Sequence, residues 1–216
     1  MSGLEVVKHG HACLTVVKDG RRLVIDPGVW TEPEALERAD AVLVTHEHAD
    51  HVDQAALRAA LAARPELQVW TNPAFEDFFE APHGRMHVVQ DGETFDAAGF
   101  TVRAVGDWHA EVHADLPRVR NVGFVVDERV FHPGDALTFP GVELDVLAVP
   151  LHGPWVKTAE LVDWVRLVAP RHTLAIHDAL LSEKGLDLMD RLLGPGGPGT
   201  GATYARLAAG ESLTVD

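Results

Sequence analysis

The sequence predicts an α/β protein in which two β-sheets are covered by helices and residues 1–216 form a single domain. Two observations lead to this prediction. Strand patterns with interspersed helical patterns run through the chain in two similarly built halves, which favours layers of sheet and helix around one core. A chain of 216 residues, 46% of them hydrophobic, can bury a substantial core, although two small domains are also compatible with this length.

The first third of the chain consists mainly of short predicted strands. We expect a strand over 4–7 and a hairpin formed by 12–17 and 22–25, with its turn at Asp19-Gly20, a pair that favours tight turns. The Asp-Pro-Gly sequence at 26–28 ends the second strand of the hairpin.

The next segment alternates helices with strands. A short helix is predicted over 34–39, and a buried strand over 41–45. Residues 53–64 have the alanine- and leucine-rich composition of a helix, which Pro65 ends. A further strand is expected over 67–71.

The remaining two thirds repeat this mixture. A helix is predicted over 73–79 and another over 158–168, where apolar residues recur at spacings of three and four. A third helix is expected over 183–193, before a loop rich in glycine and proline at 194–201. The predicted strands are 87–89, 94–95, 100–105, 122–126, 129–132, 146–148, 173–176, 204–207 and 212–215.

The loop after the strand 41–45 carries an unusual density of metal-binding side chains. The segment His46-Glu-His-Ala-Asp-His51 holds three histidines and one aspartate within six residues. Imidazole and carboxylate groups are the ligands that zinc and related divalent ions take. The alternative, a polar surface loop, does not account for four such residues directly after an apolar run. We therefore expect a metal site, and with it an enzyme, because such sites usually activate water.

The spacing within this loop divides its ligands into two groups. In extended backbone, residues i and i+2 point the same way, so His46 and His48 can reach one ion. Asp50 and His51 lie where the chain turns into the following helix, and they would face a second position a few ångströms away. The loop thus predicts ligands for two adjacent metal positions.

Neither predicted position is complete, because a catalytic zinc usually has three protein ligands. Three later segments at strand ends contain suitable side chains: His109 or His113, then Asp135, then His177. A helix-cap aspartate and a core histidine are the alternatives for Asp135 and His177.

These motifs resemble those of the metallo-β-lactamase superfamily. The segment 46–51 matches the superfamily signature H-x-H-x-D-H, Asp26 resembles an early motif in which an aspartate ends a strand, Gly134-Asp135 resembles a Gly-Asp motif, and His177 resembles the final histidine. The resemblance implies a four-layer αββα sandwich in which two mixed sheets are flanked by helices. It places the active site at the edge between the two sheets.

The same resemblance implies a role for each ligand. His46, His48 and His109 would hold one metal, whereas Asp50, His51 and His177 would hold the second, with Asp135 as the bridge. The implied reaction is hydrolysis of a small-molecule ester, lactone or phosphodiester by a water that two ions activate, with Asp50 and Asp135 as the catalytic carboxylates. The expected cofactors are two divalent ions, zinc before manganese, iron or nickel.

Within the superfamily, the chain looks most similar to the branch that contains ascorbate-6-phosphate lactonase and N-acyl-phosphatidylethanolamine phospholipase D. Gly10-His-Ala-Cys-Leu14 and the segment 170–177 carry this resemblance. Two rival functions on the same scaffold are a mononuclear iron oxidoreductase similar to persulfide dioxygenases and a metal-binding protein without turnover.

Four further residues are candidates for supporting the metals or contacting substrate. Asp26 could orient a ligand histidine, as carboxylates often do, or could simply stabilise a turn. His11 belongs either to the wall of the active site or to an ordinary loop. His113 is a candidate if His109 is the metal ligand. Lys157 could pair with an anionic substrate group, or it could be solvated in its loop.

The overall composition limits the partners. A formal net charge of −15 disfavours nucleic acid and anionic membrane surfaces, which require a basic footprint, but permits a small-molecule substrate. The one cysteine, Cys13, excludes an intrachain disulfide, and we expect it to act as a small buried apolar residue. The sequence has no apolar run that could cross a membrane and no apparent signal peptide, which predicts cytoplasmic residence. The oligomeric state is not predicted.

Overall fold

The computed structural model describes residues 3–216 of the chain, and Met1 and Ser2 lie outside it. The first half of the chain supplies most of one sheet and the helices on its outer face. Its elements are β1 (Leu4–Lys8), β2 (Leu14–Lys18), β3 (Arg21–Ile25), α1 (Glu34–Glu37), β4 (Ala41–Val44), α2 (Gln54–Ala63), β5 (Gln68–Thr71), α3 (Pro73–Glu76) and β6 (Met86–Val88).

The second half supplies the other sheet, and its last strand returns to the first sheet. Its elements are β7 (Thr94–Ala97), β8 (Phe100–Val105), β9 (Gly123–Val126), β10 (Val130–His132), β11 (Val146–Pro150), α4 (Thr158–Val168), β12 (His172–Ile176), α5 (Glu183–Leu193), β13 (Thr203–Ala205) and β14 (Ser212–Val215).

Both sheets are mixed, as predicted. Within residues 3–216 each sheet has seven strands, in the orders β14-β1-β2-β3-β4-β5-β6 and β13-β12-β11-β10-β9-β8-β7. The run β3 to β6 is parallel, and so is the run β10 to β13. The remaining pairs are antiparallel.

The two sheets pack face to face and are covered outside by helices. Apolar residues from both sheets, such as Leu43 and Phe124, form a shared inner core. The residue before Leu43 on β4, Val42, packs on the other face of the sheet with Leu57 of α2. Trp164 of α4 joins a third cluster outside the second sheet. The alternation of side chains along each strand therefore gives four layers, which confirms the predicted αββα sandwich.

The predicted elements are present, with corrections at their ends. The strand predicted over 12–17 begins only at Leu14, because Cys13 N–H donates to the Gly10 carbonyl and closes a turn. The helices predicted over 34–39 and 73–79 stop at Glu37 and Glu76. The strand predicted over 204–207 is Thr203–Ala205.

This topology brings the predicted ligands to one edge. Parallel strands end on the same side of a sheet, so the loops after β3 and β4 lie together, as do those after β10, β11 and β12. The face-to-face packing of the sheets then brings these loops close to one another. No helix within residues 3–216 has the length and apolar character needed to cross a membrane.

Candidate metal centre

The histidine-rich loop is held rigidly between β4 and α2. The Val52 N–H donates to the His48 carbonyl at 3.0 Å, which makes a turn. Asp53 then caps α2 by accepting hydrogen bonds from the N–H groups of Ala55 and Ala56, and its own N–H donates to Pro27. The loop is therefore fixed to the turn that follows β3. A loop held in this way can position metal ligands precisely.

Among residues 3–216, two groups of side chains could hold a metal ion, and the first consists of His46, His48, His109 and Asp135. One ligand atom from each lies within 4.8 Å of the others. His46 Nε2 and His48 Nδ1 are 3.0 Å apart, and His109 Nε2 is 3.3 Å from Asp135 Oδ2. The i, i+2 pair thus converges on one point together with a histidine from the loop between β8 and β9.

The second group consists of Asp50, His51, His177 and His11, again with ligand atoms within 4.8 Å of one another. His177 Nε2 is 3.4 Å from Asp50 Oδ2. The sequence did not decide whether His11 lies in the wall of the active site or in an ordinary loop. Its position in this group places it at the candidate metal centre.

Asp135 lies between the two groups. Its Oδ1 is 3.1 Å from His51 Nε2, and its Oδ2 is 3.3 Å from both His109 and His177. The Asn121 side chain accepts the Asp135 N–H at 3.0 Å and fixes the backbone there. This carboxylate can contact ions on both sides.

The second nitrogen of most ligand histidines has a partner that orients the ring. His51 Nδ1 donates to Asp26 at 2.7 Å, and His109 Nδ1 donates to the Ala110 carbonyl at 2.6 Å. His177 Nδ1 donates to the His152 carbonyl, and His46 Nδ1 lies 3.0 Å from the Thr45 hydroxyl. These contacts use Nδ1 of each ring, so Nε2 is the nitrogen that faces the potential metal positions. This is the usual arrangement around zinc.

His11 differs from these four. Its Nδ1 accepts a hydrogen bond from the Ala179 N–H at 3.2 Å. A neutral ring that accepts at Nδ1 carries its proton on Nε2, and this atom faces Asp50 Oδ2 at 3.3 Å. His11 is thus arranged as a hydrogen-bond donor at the site, whereas the other four rings are oriented through Nδ1 with Nε2 facing the ligand groups.

Asp26 supports the metal ligands from beneath. It is fully buried and accepts hydrogen bonds from the N–H and hydroxyl of Thr45 and from His51. Of the two alternatives for this aspartate, the structure shows the contact with a candidate ligand histidine.

The charges at the site are strongly coupled. Burial alone would lower the pKa of His51, but the carboxylates of Asp135 and Asp26 hold it well above its usual value. Burial would likewise lower the pKa of His177, but Asp135 and Asp50 raise it to about 9. Burial lowers the pKa of His46 far below the usual range. The site thus concentrates carboxylate charge that a cation can neutralise.

Unpartnered buried atoms provide an independent test of the fit to a metal. His51 Nε2, His177 Nε2 and Asp135 Oδ1 are buried and have no hydrogen-bond partner. His51 Nε2 and Asp135 Oδ1 are only 3.1 Å apart, yet they do not form a hydrogen bond. Buried polar atoms normally have partners, and imidazole with carboxylate is a zinc-type donor set, so the residues fit a divalent ion.

Of the predicted candidates outside both groups, Asp26 hydrogen-bonds to His51, whereas His113 and Lys157 form other contacts. The His113 side chain is 65% exposed, and its Nδ1 accepts the Asp115 N–H. Lys157 is also exposed and pairs with Glu160 at 2.9 Å on its own helix turn. The structure therefore brings His109 rather than His113 into the first group, and it gives no contact between Lys157 and the site.

Cys13 is buried, as expected, and burial raises the pKa of its thiol.

Sequence reasoning did not predict the contacts that Trp155 and Lys8 make at the site. The indole N–H of Trp155 donates to Asp135 Oδ2 at 3.2 Å. Lys8 is buried, donates to the His11 carbonyl at 2.8 Å and pairs with Asp178 at 3.5 Å. The sequence of β1 does indicate that Lys8 is buried, because Lys8 continues the alternation by which Leu4 and Val6 face inward.

Comparison with known proteins agrees with this geometry. Residues 5–177 match the family model described as a beta-lactamase superfamily domain. The chain belongs to the beta-lactamase superfamily.

The chain is similar to proteins from several bacteria. A protein of Mycobacterium tuberculosis is 36% identical over 83% of this chain and 86% of its own length. A protein of Carboxydothermus hydrogenoformans, described as a metal-dependent hydrolase, is 25% identical over 78% of this chain and 81% of its own length. The crystal structure of a metallo-beta-lactamase fold protein from Bacillus subtilis covers all of both chains with a TM-score of 0.72 at 14% identity. The predicted enzyme class, a metal-dependent hydrolase, is confirmed. The narrower branch of the superfamily, that of the lactonase and the phospholipase D, stays a prediction.

Proposed function

We propose that this beta-lactamase superfamily member hydrolyses a small-molecule ester, lactone or phosphodiester at a dinuclear metal centre. The observation that carries the proposal is the pair of adjacent ligand groups on either side of Asp135, with three buried ligand atoms that lack other partners. One ion would not satisfy both groups, because Asp135 faces His109 on one side and His51 on the other.

In this proposal the ligands follow the two groups. His46, His48 and His109 would hold one ion, and Asp50, His51 and His177 would hold the other, with Asp135 between them. Two such ions, when bound, lower the pKa of a water and polarise the carbonyl or phosphoryl group that it attacks. Zinc is the first candidate, and manganese, iron and nickel are the alternatives.

The remaining side chains would orient these groups. Asp26 and Thr45 hold the rings of His51 and His46 from behind. Trp155 directs one oxygen of Asp135 through its indole N–H. His11, with its proton on Nε2, would donate a hydrogen bond to a substrate or product oxygen above Asp50.

Metal content and turnover in matched histidine variants test this proposal. We expect purified protein to bind about two divalent ions per chain, measured by inductively coupled plasma mass spectrometry, because there are two donor groups. It should hydrolyse at least one member of a panel of aryl esters, lactones and bis(p-nitrophenyl) phosphate. His109→Ala should lose metal and turnover, and His113→Ala should keep its metal. His83→Ala, exposed in the loop between α3 and β6, is the control that should keep both metal and turnover.

Two results would contradict the proposal. Full metal content and turnover in His109→Ala would show that the first ligand group does not bind a metal as proposed. A single bound iron, together with oxygen consumption on a persulfide substrate and no hydrolysis of the panel, would favour the oxidoreductase alternative.

A further inference from the structure

A cavity of about 320 Å³ opens beside the first ligand group. His48 and His109 form the part of its wall that adjoins the metal centre. The rest of the wall comes from the loop between β8 and β9, over residues 110–119. Its volume falls within the range of about 300–1,000 Å³ that small-molecule sites occupy.

The loop that forms this cavity is fixed at its base. Trp108 pairs with Arg120 in an isolated β-bridge, and the His109 N–H donates to the Val119 carbonyl at 3.0 Å. The Arg118 Nε donates to the His109 carbonyl at 3.3 Å, and the Ala110 N–H donates to the Asp135 carbonyl at 2.8 Å. The cavity wall is therefore tied by hydrogen bonds to two candidate metal ligands.

The lining of the cavity is mainly apolar. Val112, Leu116, Pro117 and Val119 contribute to it. Val112 is 40% exposed and Leu116 is 56% exposed, so this wall presents apolar surface that an apolar group of a ligand can remove from water. Apolar surface that adjoins a polar reactive centre is the usual design of a small-molecule site.

The charges at the rim do not favour an ionic ligand. One cation, Arg118, and one anion, Glu111, line the cavity. Arg118 lies 5.4 Å from the centre of the Trp108 ring, and Arg120 lies at 4.0 Å. An uncharged apolar group fits this balance better than a charged group of either sign.

We propose that this cavity binds an uncharged apolar substituent of the substrate while the hydrolysable bond lies over the metal centre. The substrate class is thus an ester, lactone or phosphodiester that carries an aliphatic or aromatic group beside the reacting carbon or phosphorus. This inference rests on the proposed function for the position of the reacting bond, but the apolar selectivity of the cavity can be tested without turnover.

Binding of two phosphonates to zinc-loaded protein tests the inference. Methylphosphonate and hexylphosphonate share a head group that binds metal and differ only in the apolar chain. Isothermal titration calorimetry should show hexylphosphonate binding at least tenfold more tightly, because the cavity removes its methylenes from water. The double variant V112S/L116S should reduce this preference to less than threefold.

Leu167→Ser is the matched control, since Leu167 is 65% exposed on α4 and does not line the cavity. It should keep the full preference for hexylphosphonate. Equal affinity for the two phosphonates in the unmodified protein would overturn the inference, and so would a preference that survives in V112S/L116S.

A second measurement separates the cavity from the metal centre. Methyl NMR of the protein as purified should show 1-hexanol shifting the resonances of Val112 and Leu116 but not those of Leu167. If neither phosphonate binds while 1-hexanol does, the assignment of the metal centre is contradicted and the assignment of the apolar cavity is supported. If 1-hexanol leaves Val112 and Leu116 unchanged, the cavity assignment is wrong.

Discussion

Each histidine at this site has two ring nitrogens, and the partner of one determines what the other can do. Asp26 and the Ala110 carbonyl accept hydrogen bonds from Nδ1 of His51 and His109, so Nε2 is the nitrogen of each ring that is available to a metal. The Ala179 N–H donates to Nδ1 of His11 and thereby keeps the proton on Nε2. The same residue type is therefore set up for two different tasks by one backbone or side-chain contact.

Trp155 provides a prediction at the scale of one residue. Trp155→Phe removes the indole N–H that binds Asp135 Oδ2 but retains the ring. A hydrogen bond to a charged group contributes about 1.5–3 kcal/mol, which corresponds to a decrease in kcat of roughly ten- to hundredfold if the contact matters in the transition state. Steady-state kinetics on the best substrate of the panel would measure it, with metal content unchanged.

Trp164→Phe is the control for this substitution. The Trp164 indole donates to the Thr138 carbonyl, away from the metal centre. Its loss should reduce stability without changing kcat. An unchanged kcat in Trp155→Phe would contradict a role for its N–H in orienting Asp135.

At the scale of elements, the site depends on how closely two loops approach. The turn after β3 and the loop after β4 are joined by a hydrogen bond from the Val29 N–H to the Ala49 carbonyl at 2.8 Å. A Cβ atom added to Gly28 would lie 1.9 Å from the Asp50 carbonyl oxygen. Glycine at this position allows the backbone of the Asp50 segment to pass directly over the turn.

Gly28→Ala should therefore displace the Asp50 backbone. We expect a loss of stability of about 1–3 kcal/mol, the usual cost of overpacking, together with loss of metal from the group that contains Asp50 and His51. Thermal unfolding and metal analysis would measure the two effects. Gly3→Ala serves as the control because its added Cβ would meet its nearest neighbour at 3.6 Å, an ordinary contact. Normal metal content in Gly28→Ala would show that the loop can move without cost.

At the scale of the whole molecule, the buried histidines couple stability to pH. In metal-free protein, burial lowers the pKa of His11, His46 and His132, so the unfolded chain takes up more protons as the pH falls below about 6.5. Asp135 and its neighbours raise the pKa of His177 to about 9, so the stabilisation from its protonated form is lost as the pH rises from 6.5 through 9.

These opposite signs predict a stability maximum near pH 6.5 for protein treated with a chelator. Its Tm should fall toward pH 5 and toward pH 9, as differential scanning fluorimetry would detect. Metal-loaded protein should lose less on the alkaline side, because the ion replaces the protons that balance the carboxylates. A Tm of the metal-free protein that rises steadily to pH 9 would contradict the coupling between His177 and its carboxylates.

The features that could be predicted from the sequence are those set by neighbours along the chain. Short apolar runs bounded by turn sequences such as Asp19-Gly20 predicted the strands, and the spacing of His46, His48, Asp50 and His51 predicted two ligand directions from one loop. Both follow from local backbone geometry, in which side-chain direction depends on the next one or two residues. The first residue of β2 was placed wrongly because the turn at Gly10 and Cys13 depends on hydrogen bonds that the residue pattern does not reveal.

Only the tertiary structure decided the contacts between distant segments. His109 and His113 are four residues apart in an irregular loop, and only the resemblance to the superfamily favoured His109. The structure places His109, and not His113, against Asp135. The protonated nitrogen of His11 depends on the backbone of Ala179, which lies 168 residues further along the chain. The sequence by itself thus determined which residues can bind a metal. The packing of the two sheets decided which of them meet, because ligation requires atoms within a few ångströms and only the folded chain sets those distances.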